Sequence, residues 1–215
     1  MSEGRLGNLE EARKHLHKGC TLGSHASCGN LALMLMEKAV VSVRVEGPLF
    51  TEVYRGEEGG ERDWLMLDAW RYAEMGCPMA GRMYGNTDGK ELGTGRGGGK
   101  GPKVQCNEQA LVAMGLGYMY GFESTMCGEY EGRDQANGAR CLDMQEFRVA
   151  KDIERAVRYI SDGADGGDPK AWYYFGLLKS GFMQPEFVRS NQSQKDAANS
   201  FMIAAGQGVE GAIYR

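Results

Sequence analysis

Residues 155–171 read Arg155-Ala156-Val-Arg-Tyr159-Ile-Ser-Asp-Gly163-Ala164-Asp-Gly-Gly167-Asp168-Pro169-Lys170-Ala171. Apolar and small residues recur at helical spacing from Ala156 to Gly163 and Ala164, and a second apolar run starts at Ala171. Between them Gly167 suits a left-handed C-terminal cap, Asp168 a helix N-cap and Pro169 a first helical position. The stretch is a helix, a tight turn and a second helix. Working outward, Ala156-x10-Gly167 recurs as Ala12-x10-Gly23, as Ala197-x10-Gly208 and, weakly, as Leu65-x10-Gly76. A small residue follows each glycine four positions later: Ala80, Ala171 and Ala212, with Ser27 in that slot in the first copy. One such unit cannot bury its apolar face alone, so units stack. The expectation is an all-α fold, a short solenoid of helix-turn-helix repeats in one domain over residues 1–215.

Along the chain, helices are expected at Glu10–Cys20, Ser27–Val40, Trp64–Met75, Glu108–Tyr120, Arg148–Ala164, Pro169–Lys179 and Lys195–Ala205. A short run from Pro78 to Tyr84 and a final one from Gly211 are also expected to be helical, and the array reads as cut off there. Irregular insertions are expected at about 41–62, 86–104, 122–147 and 182–194. Val41–Glu46 alternates with period two and Leu49–Tyr54 is β-prone, which fits a small hairpin or an extended loop. Asn86–Pro102 is Gly-rich, polar and slightly basic, and reads as a linker. Helices that cross closely need small residues at the crossing. Ala110, Gly115, Gly121, Ala156, Ala171, Gly176, Ala197 and Ala212 supply them, with larger neighbours such as Tyr118, Tyr159, Trp172 and Phe201 filling the space between repeats.

The net charge is −4 over 215 residues, which argues against a general nucleic-acid binder. No run approaches 18 apolar residues, so no transmembrane helix is expected. The opening residues lack both a secretory h-region and a transit-peptide composition. The 33 glycines exceed the usual share of about 7% and fall mainly at helix ends and in insertions. The 13 methionines read as core fillers.

Ala110, Met114-Gly115, Tyr118 and Gly121 on one helix are the pattern of the Sel1-like repeat family, relatives of tetratricopeptide repeats. Arg155-Ala156, Tyr159, Gly163-Ala164, Gly167 and Ala171 match its second helix, as does Lys195–Ala212 with Gly208. The chain resembles that family over most of its helical sequence. Its first unit, Cys20-Thr-Leu-Gly23-Ser-His-Ala-Ser-Cys28, resembles the cysteine-rich branch, which includes Helicobacter cysteine-rich proteins and a mitochondrial cytochrome oxidase assembly factor. The resemblance stops in 41–62, 86–104 and 122–147. It also stops at the other cysteine positions, where Ala73/Gly81, Ala164/Trp172 and Ala205/Ile213 stand. It implies a scaffold or adaptor with no common catalytic residues, and a disulfide joining the two helices of the first unit through Cys20 and Cys28.

Taken by itself, His17-x2-Cys20-x4-His25-x2-Cys28 leaves three readings open: a disulfide or close thiol pair, reduced thiols beside surface histidines, or a zinc site. A disulfide would imply an oxidising compartment. Cys127 and Cys141 flank the acidic insertion and are candidates to staple it. Cys77 and Cys106 flank the other insertion; a staple and shielded free thiols compete at both pairs. Gly93-Thr-Gly95-Arg-Gly-Gly98 fits the dinucleotide pattern literally but lacks the strand before it and the helix after it. Lys100 is followed by Gly101, so the P-loop pattern fails as well, and a linker or partner-binding loop is the reading. Asn191-Gln-Ser193 is an isolated sequon. Trp64, Trp70 and Trp172 are expected in the core, or on a concave face as a ligand shelf.

No catalytic constellation, resident cofactor or metal is expected. The function expected is a non-catalytic scaffold that binds other protein subunits of a larger assembly. By analogy with the resembled branch it is a structural subunit or assembly factor of a mitochondrial respiratory complex, in the intermembrane space or at the inner-membrane periphery. One alternative is a cytoplasmic or endoplasmic-reticulum adaptor in signalling or protein turnover. A second is a cofactor-binding or thiol-active protein.

Overall fold

The computed structural model describes residues 3–40, 42–46, 49–53, 60–78, 106–131, 140–183 and 191–213. These residues are mostly helical. The helices are α1 (Glu3–Thr21), α2 (His25–Val40), α3 (Gly60–Gly76), α4 (Glu108–Tyr120), α5 (Ile153–Asp165), α6 (Pro169–Lys179), α7 (Asn191–Gly206) and α8 (Glu210–Ile213). Two antiparallel ladders join them: β1 (Ser42–Glu46) with β2 (Leu49–Val53), and β3 (Phe122–Glu131) with β4 (Arg140–Val149). Each helix packs on the next in the chain, and α4 also packs on α2 and α6. One cluster of buried apolar side chains runs from Leu31 on α2 to Ala212 on α8. The α4 sequence is apolar all round, and Ala110–Gly117 and Met119 are buried on it, as befits a helix enclosed by its neighbours.

The helices form four pairs, α1/α2, α3/α4, α5/α6 and α7/α8, each closed by the same long hydrogen bond. Ser24 N–H donates to Gly19 O at 3.0 Å, Asp168 to Gly163 at 3.2 Å, Val209 to Ala204 at 3.0 Å and Asn107 to Gly76 at 3.1 Å. In three pairs four residues separate donor from acceptor, and the last of them is a glycine with positive φ: Gly23 (88°), Gly167 (96°) and Gly208 (87°). Its N–H donates three residues back, to Cys20, Ala164 and Ala205. These two hydrogen bonds together are the Schellman closure, which satisfies carbonyls that a helix end leaves open. In the α3/α4 pair, residues 77–106 stand in place of the four.

This equivalence corrects the weakest copy of the repeat. Gly76 does not cap α3 in a left-handed turn. A Cβ on Gly76 would lie 2.9 Å from the Ala110 Cβ, just as one on Gly163 would lie 3.3 Å from the Ala171 Cβ. Ala69 and Gly76 therefore occupy the places of Ala156 and Gly163, four residues from the sequence alignment. The small residue after the turn is Ala110; Ala80, expected in that role, and the run to Tyr84 lie outside the described residues. The alignment slipped because the glycine that ends α3 is kept for close approach, and the insertion replaces the turn.

The ladders refine the expected insertions. The small hairpin is present, with Ser42 opposite Val53 and Glu46 opposite Leu49. The insertion at 122–147 is largely β3 and β4, paired from Phe122↔Val149 to Glu131↔Arg140 with irregular register between Cys127 and Tyr130. The strand takes Arg148 and Val149, so the helix expected from Arg148 starts at Ile153, where Asp152 caps it by accepting from Arg155 N–H at 2.9 Å. Phe122, Ser124 and Val149 are buried at the root of this ladder, where β3 packs on α3. A two-stranded ribbon is marginal alone, so that packing decides the structure here. The chain leaves each helix pair for the next at the end opposite the bond that closes the pair, and both ladders belong to these connections.

Candidate interaction site

The packing residues expected from the repeat are where helices approach. Ala110, Ala156, Ala171, Ala197 and Ala212 are buried. A Cβ on Gly115 would lie 3.1 Å from Ala156 O and press on Ile160, and one on Gly176 would meet the Phe201 ring at 2.7 Å. Gly167 and Gly208 have open space around them and serve the turn alone. Gly121 has φ 63°, and its absent Cβ leaves room for Lys151 N at 3.0 Å where β3 leaves α4.

Around Tyr118 of α4 the pairs meet through aromatic rings. Phe147 and Phe122 lie 5.9 Å apart between centroids, Phe122 and Trp70 6.0 Å, Trp70 and Tyr118 5.2 Å edge-on, and Tyr118 and Tyr159 5.5 Å stacked. The series links the second ladder, α3, α4 and α5. Its polar rim is built by capping, by one bond between α4 and the cap of α5, and by one within α3. Arg155 lies over the Tyr118 ring at 5.5 Å and pairs with Asp152 at 3.2 Å. Asp152 N–H donates to Tyr118 O at 2.8 Å, and Trp70 Nε1 donates to Glu74 at 2.9 Å. Burial raises the Tyr159 phenol well above its ordinary pKa; Tyr118 and Glu74 add to this and Arg155 opposes it. Burial also raises Tyr120, against the opposing charge of Arg62. Arg62 Nη2 donates to Gly121 O at 3.2 Å, fastening α3 to the start of β3. Half-buried Tyr118 together with Arg155, Asp152 and exposed Glu74 makes a surface with one aromatic ring edged by both charges, while Trp70, Phe122 and Tyr159 are buried beneath it. Tyr, Trp and Arg are the side chains that carry most energy at protein interfaces.

A second cluster ties the first pair to the third. Lys170 Nζ reaches both Glu37 oxygens at 2.9 and 2.7 Å, and Tyr174 donates to Glu37 Oε1 at 2.9 Å. Glu37 is on α2 and the other two are on α6, the helices on either side of α4.

Cys20 and Cys28 form a disulfide with Cα atoms 4.6 Å apart, and Cys77 and Cys106 form another at 4.3 Å. The first answers the open readings of the first unit. The second joins the two sides of the insertion, with Cys77 next to Gly76 as Cys20 is next to Gly19. The place that the repeat pattern assigns to Ala73 therefore belongs to Cys77. Register sets Cys127 against Met144 and Cys141 against Tyr130, so a staple between those two would run diagonally across the ladder. His15, His17 and His25 are exposed, and His17 lies edge-on to Tyr72 at 6.0 Å. Among the described residues no group of three or more His, Cys, Asp or Glu is placed to hold a metal. Gly93–Gly98 lies outside the described residues. No helix among them is long and apolar enough to cross a membrane.

Trp70 is buried and Trp172 half-buried against Phe175, but Trp64 is 48% exposed, contrary to the core expectation. On α3 the inward stripe is Met66, Leu67, Ala69, Trp70 and Ala73, which turns position 64 outward. Sequence reading missed Phe122 and Phe147 as members of the aromatic series and Glu74 and Asp152 as its polar edge. The available signal was Asp152 before Ile153, an N-cap pattern hidden by carrying the helix back to Arg148. Compared with known proteins, the chain matches no family model, no curated protein and no solved structure.

Proposed function

We propose that this chain is a non-catalytic protein-interaction scaffold, a short α-solenoid of Sel1-like helix pairs. The observation that carries the reading is the hydrogen bond repeated in all four pairs, from the first residue after the turn to the small residue of the preceding helix. A regular stack of this kind presents broad faces rather than one pocket, and such faces hold other proteins. The surface around Tyr118, Arg155 and Glu74 is the contact we assign to a partner subunit. The specific role proposed is a structural subunit or assembly factor of a mitochondrial respiratory complex, of the cytochrome oxidase type, in the intermembrane space or at the inner-membrane periphery. The resemblance of the first unit and its Cys20–Cys28 disulfide support it, since disulfides persist in oxidising compartments.

Native purification from source cells, with mass spectrometry of co-purifying chains and of thiol state, tests this. Stoichiometric recovery with respiratory-complex subunits and oxidised Cys20–Cys28 is expected. An isolated monomer, or recovery with cytosolic signalling proteins and free thiols, overturns it. The two disulfides also suit the endoplasmic-reticulum lumen, and recovery with protein-turnover machinery of that compartment would favour the adaptor reading.

A further inference from the structure

The two disulfides sit in different surroundings. Cys20 and Cys28 are each 1% exposed, and so is Cys77, but Cys106 is only partly covered. Cys106 directly precedes Asn107, which does two things. Its side chain accepts from the N–H groups of Gln109 and Ala110 at 3.1 and 3.2 Å, capping α4. Its own N–H donates to Gly76 O at 3.1 Å, the bond that closes the second helix pair. Elsewhere a four-residue turn holds that bond. Here the covalent bridge keeps the ends of a much longer excursion together, and α4, the helix it positions, packs on α2, α3, α5 and α6.

We propose that Cys77–Cys106 is a thiol-responsive neck, reduced before Cys20–Cys28, whose opening loosens the first turn of α4. A dithiol reductant supplies two electrons. Its thiolate attacks the sulfur of Cys106, the less covered residue of the pair, the Cys77–Cys106 bond breaks, and Cys77 leaves as a thiolate that takes a proton. The second thiol of the reductant then attacks the mixed disulfide, Cys106 is released as a thiol, and the reductant becomes a cyclic disulfide. The bond from Asn107 to Gly76 and the packing of α3 on α4 must then close the whole excursion without the covalent bridge, at a cost in chain entropy that grows with loop length. The second pair is thereby firm in an oxidising setting and loosened in a reducing one.

The test titrates the full oxidised chain with dithiothreitol, traps free thiols by alkylation, and reads each cysteine peptide by mass spectrometry alongside amide hydrogen exchange. Reduction of Cys77–Cys106 is expected at least about ten-fold faster than that of Cys20–Cys28, because rate follows access to the sulfur. At the point where only the neck is open, exchange at residues 107–111 should rise about ten-fold or more, while the turn at 163–171 stays protected. The variant Cys77→Ser/Cys106→Ser should show the same raised exchange without reductant. Equal or faster reduction of Cys20–Cys28, or an opened neck with unchanged exchange at 107–111, overturns the proposal, and neither result depends on the variant folding.

Discussion

The α5/α6 and α3/α4 pairs reach the same crossing by different means. In α5/α6 a four-residue turn ends in Gly167 at φ 96°, and Asp168 both caps α6 and donates to Gly163 O. In α3/α4 a 30-residue excursion, residues 77–106, stands in that place, and a disulfide stands where the left-handed glycine would be. Yet the donor, the acceptor, the N-cap and the small-against-small contact all correspond: Asn107 with Asp168, Gly76 with Gly163, Ala110 with Ala171. The difference teaches that the crossing is set by close backbone approach and one hydrogen bond. The turn only has to bring the two ends together, and either local geometry or a covalent bridge does so.

The largest effect expected on this comparison comes from removing the bridge. Cys77→Ser/Cys106→Ser should lower unfolding free energy by about 3.5 kcal/mol on a chain-entropy basis, against about 2.5 kcal/mol for Cys20→Ser/Cys28→Ser, whose loop is shorter. Chemical denaturation of both variants measures this, and a larger loss at the first pair would break the comparison. Next, valine at either crossing glycine should cost about 2–3 kcal/mol by overpacking. Gly163→Val presses on Val112 and Ala171, and Gly76→Val on Ala110 and the Gly29 backbone. Similar losses are expected because the two sites are equivalent; a neutral Gly76→Val would show that they are not. Gly167→Ala should cost about 1 kcal/mol through its positive φ alone, since nothing lies near its missing Cβ.

The smallest effect is the sharpest test. Replacing residues 77–106 by Ala-Asp-Gly-Gly, the turn at 164–167, should leave the melting temperature within a few degrees, because the four-residue turn closes the pair as the disulfide did. Unfolding of this chimera, with circular dichroism as the readout, would refute the equivalence. A pH series examines the junction between these two pairs. Tyr159 has its phenol pKa raised by burial, so the folded state holds that proton more tightly than the unfolded chain does. Its contribution is therefore present at neutral pH and is lost as pH rises above the ordinary tyrosine value of about 10. Thermal melts between pH 8 and 12 should show falling stability, with a shallower fall in Tyr159→Phe.

The helical positions were legible where the period was strong and the ends were marked, as in Glu108–Tyr120 and Pro169–Lys179, which the structure reproduces without change. The second ladder was not legible. Its strands alternate weakly, and Phe122, Phe147 and Val149 acquire meaning only when α3 brings Trp70 beside them. The proposed interaction surface was half legible, since Tyr118 and Arg155 stood out as pattern residues, while Asp152 joins it only where its N–H reaches Tyr118 O and Glu74 only where α3 brings its charge near Tyr159.

By itself the sequence determined the helix periods, the glycine-ended turns at Gly23, Gly167 and Gly208, and the small residues that let helices meet, because each of these follows from local backbone sterics and side-chain size. Only the tertiary structure decided that Gly76 is a crossing glycine rather than a cap, that Ala110 follows it across the insertion, and that Cys77 joins Cys106. Those three facts depend on which distant segments lie side by side, and no local propensity encodes that distance.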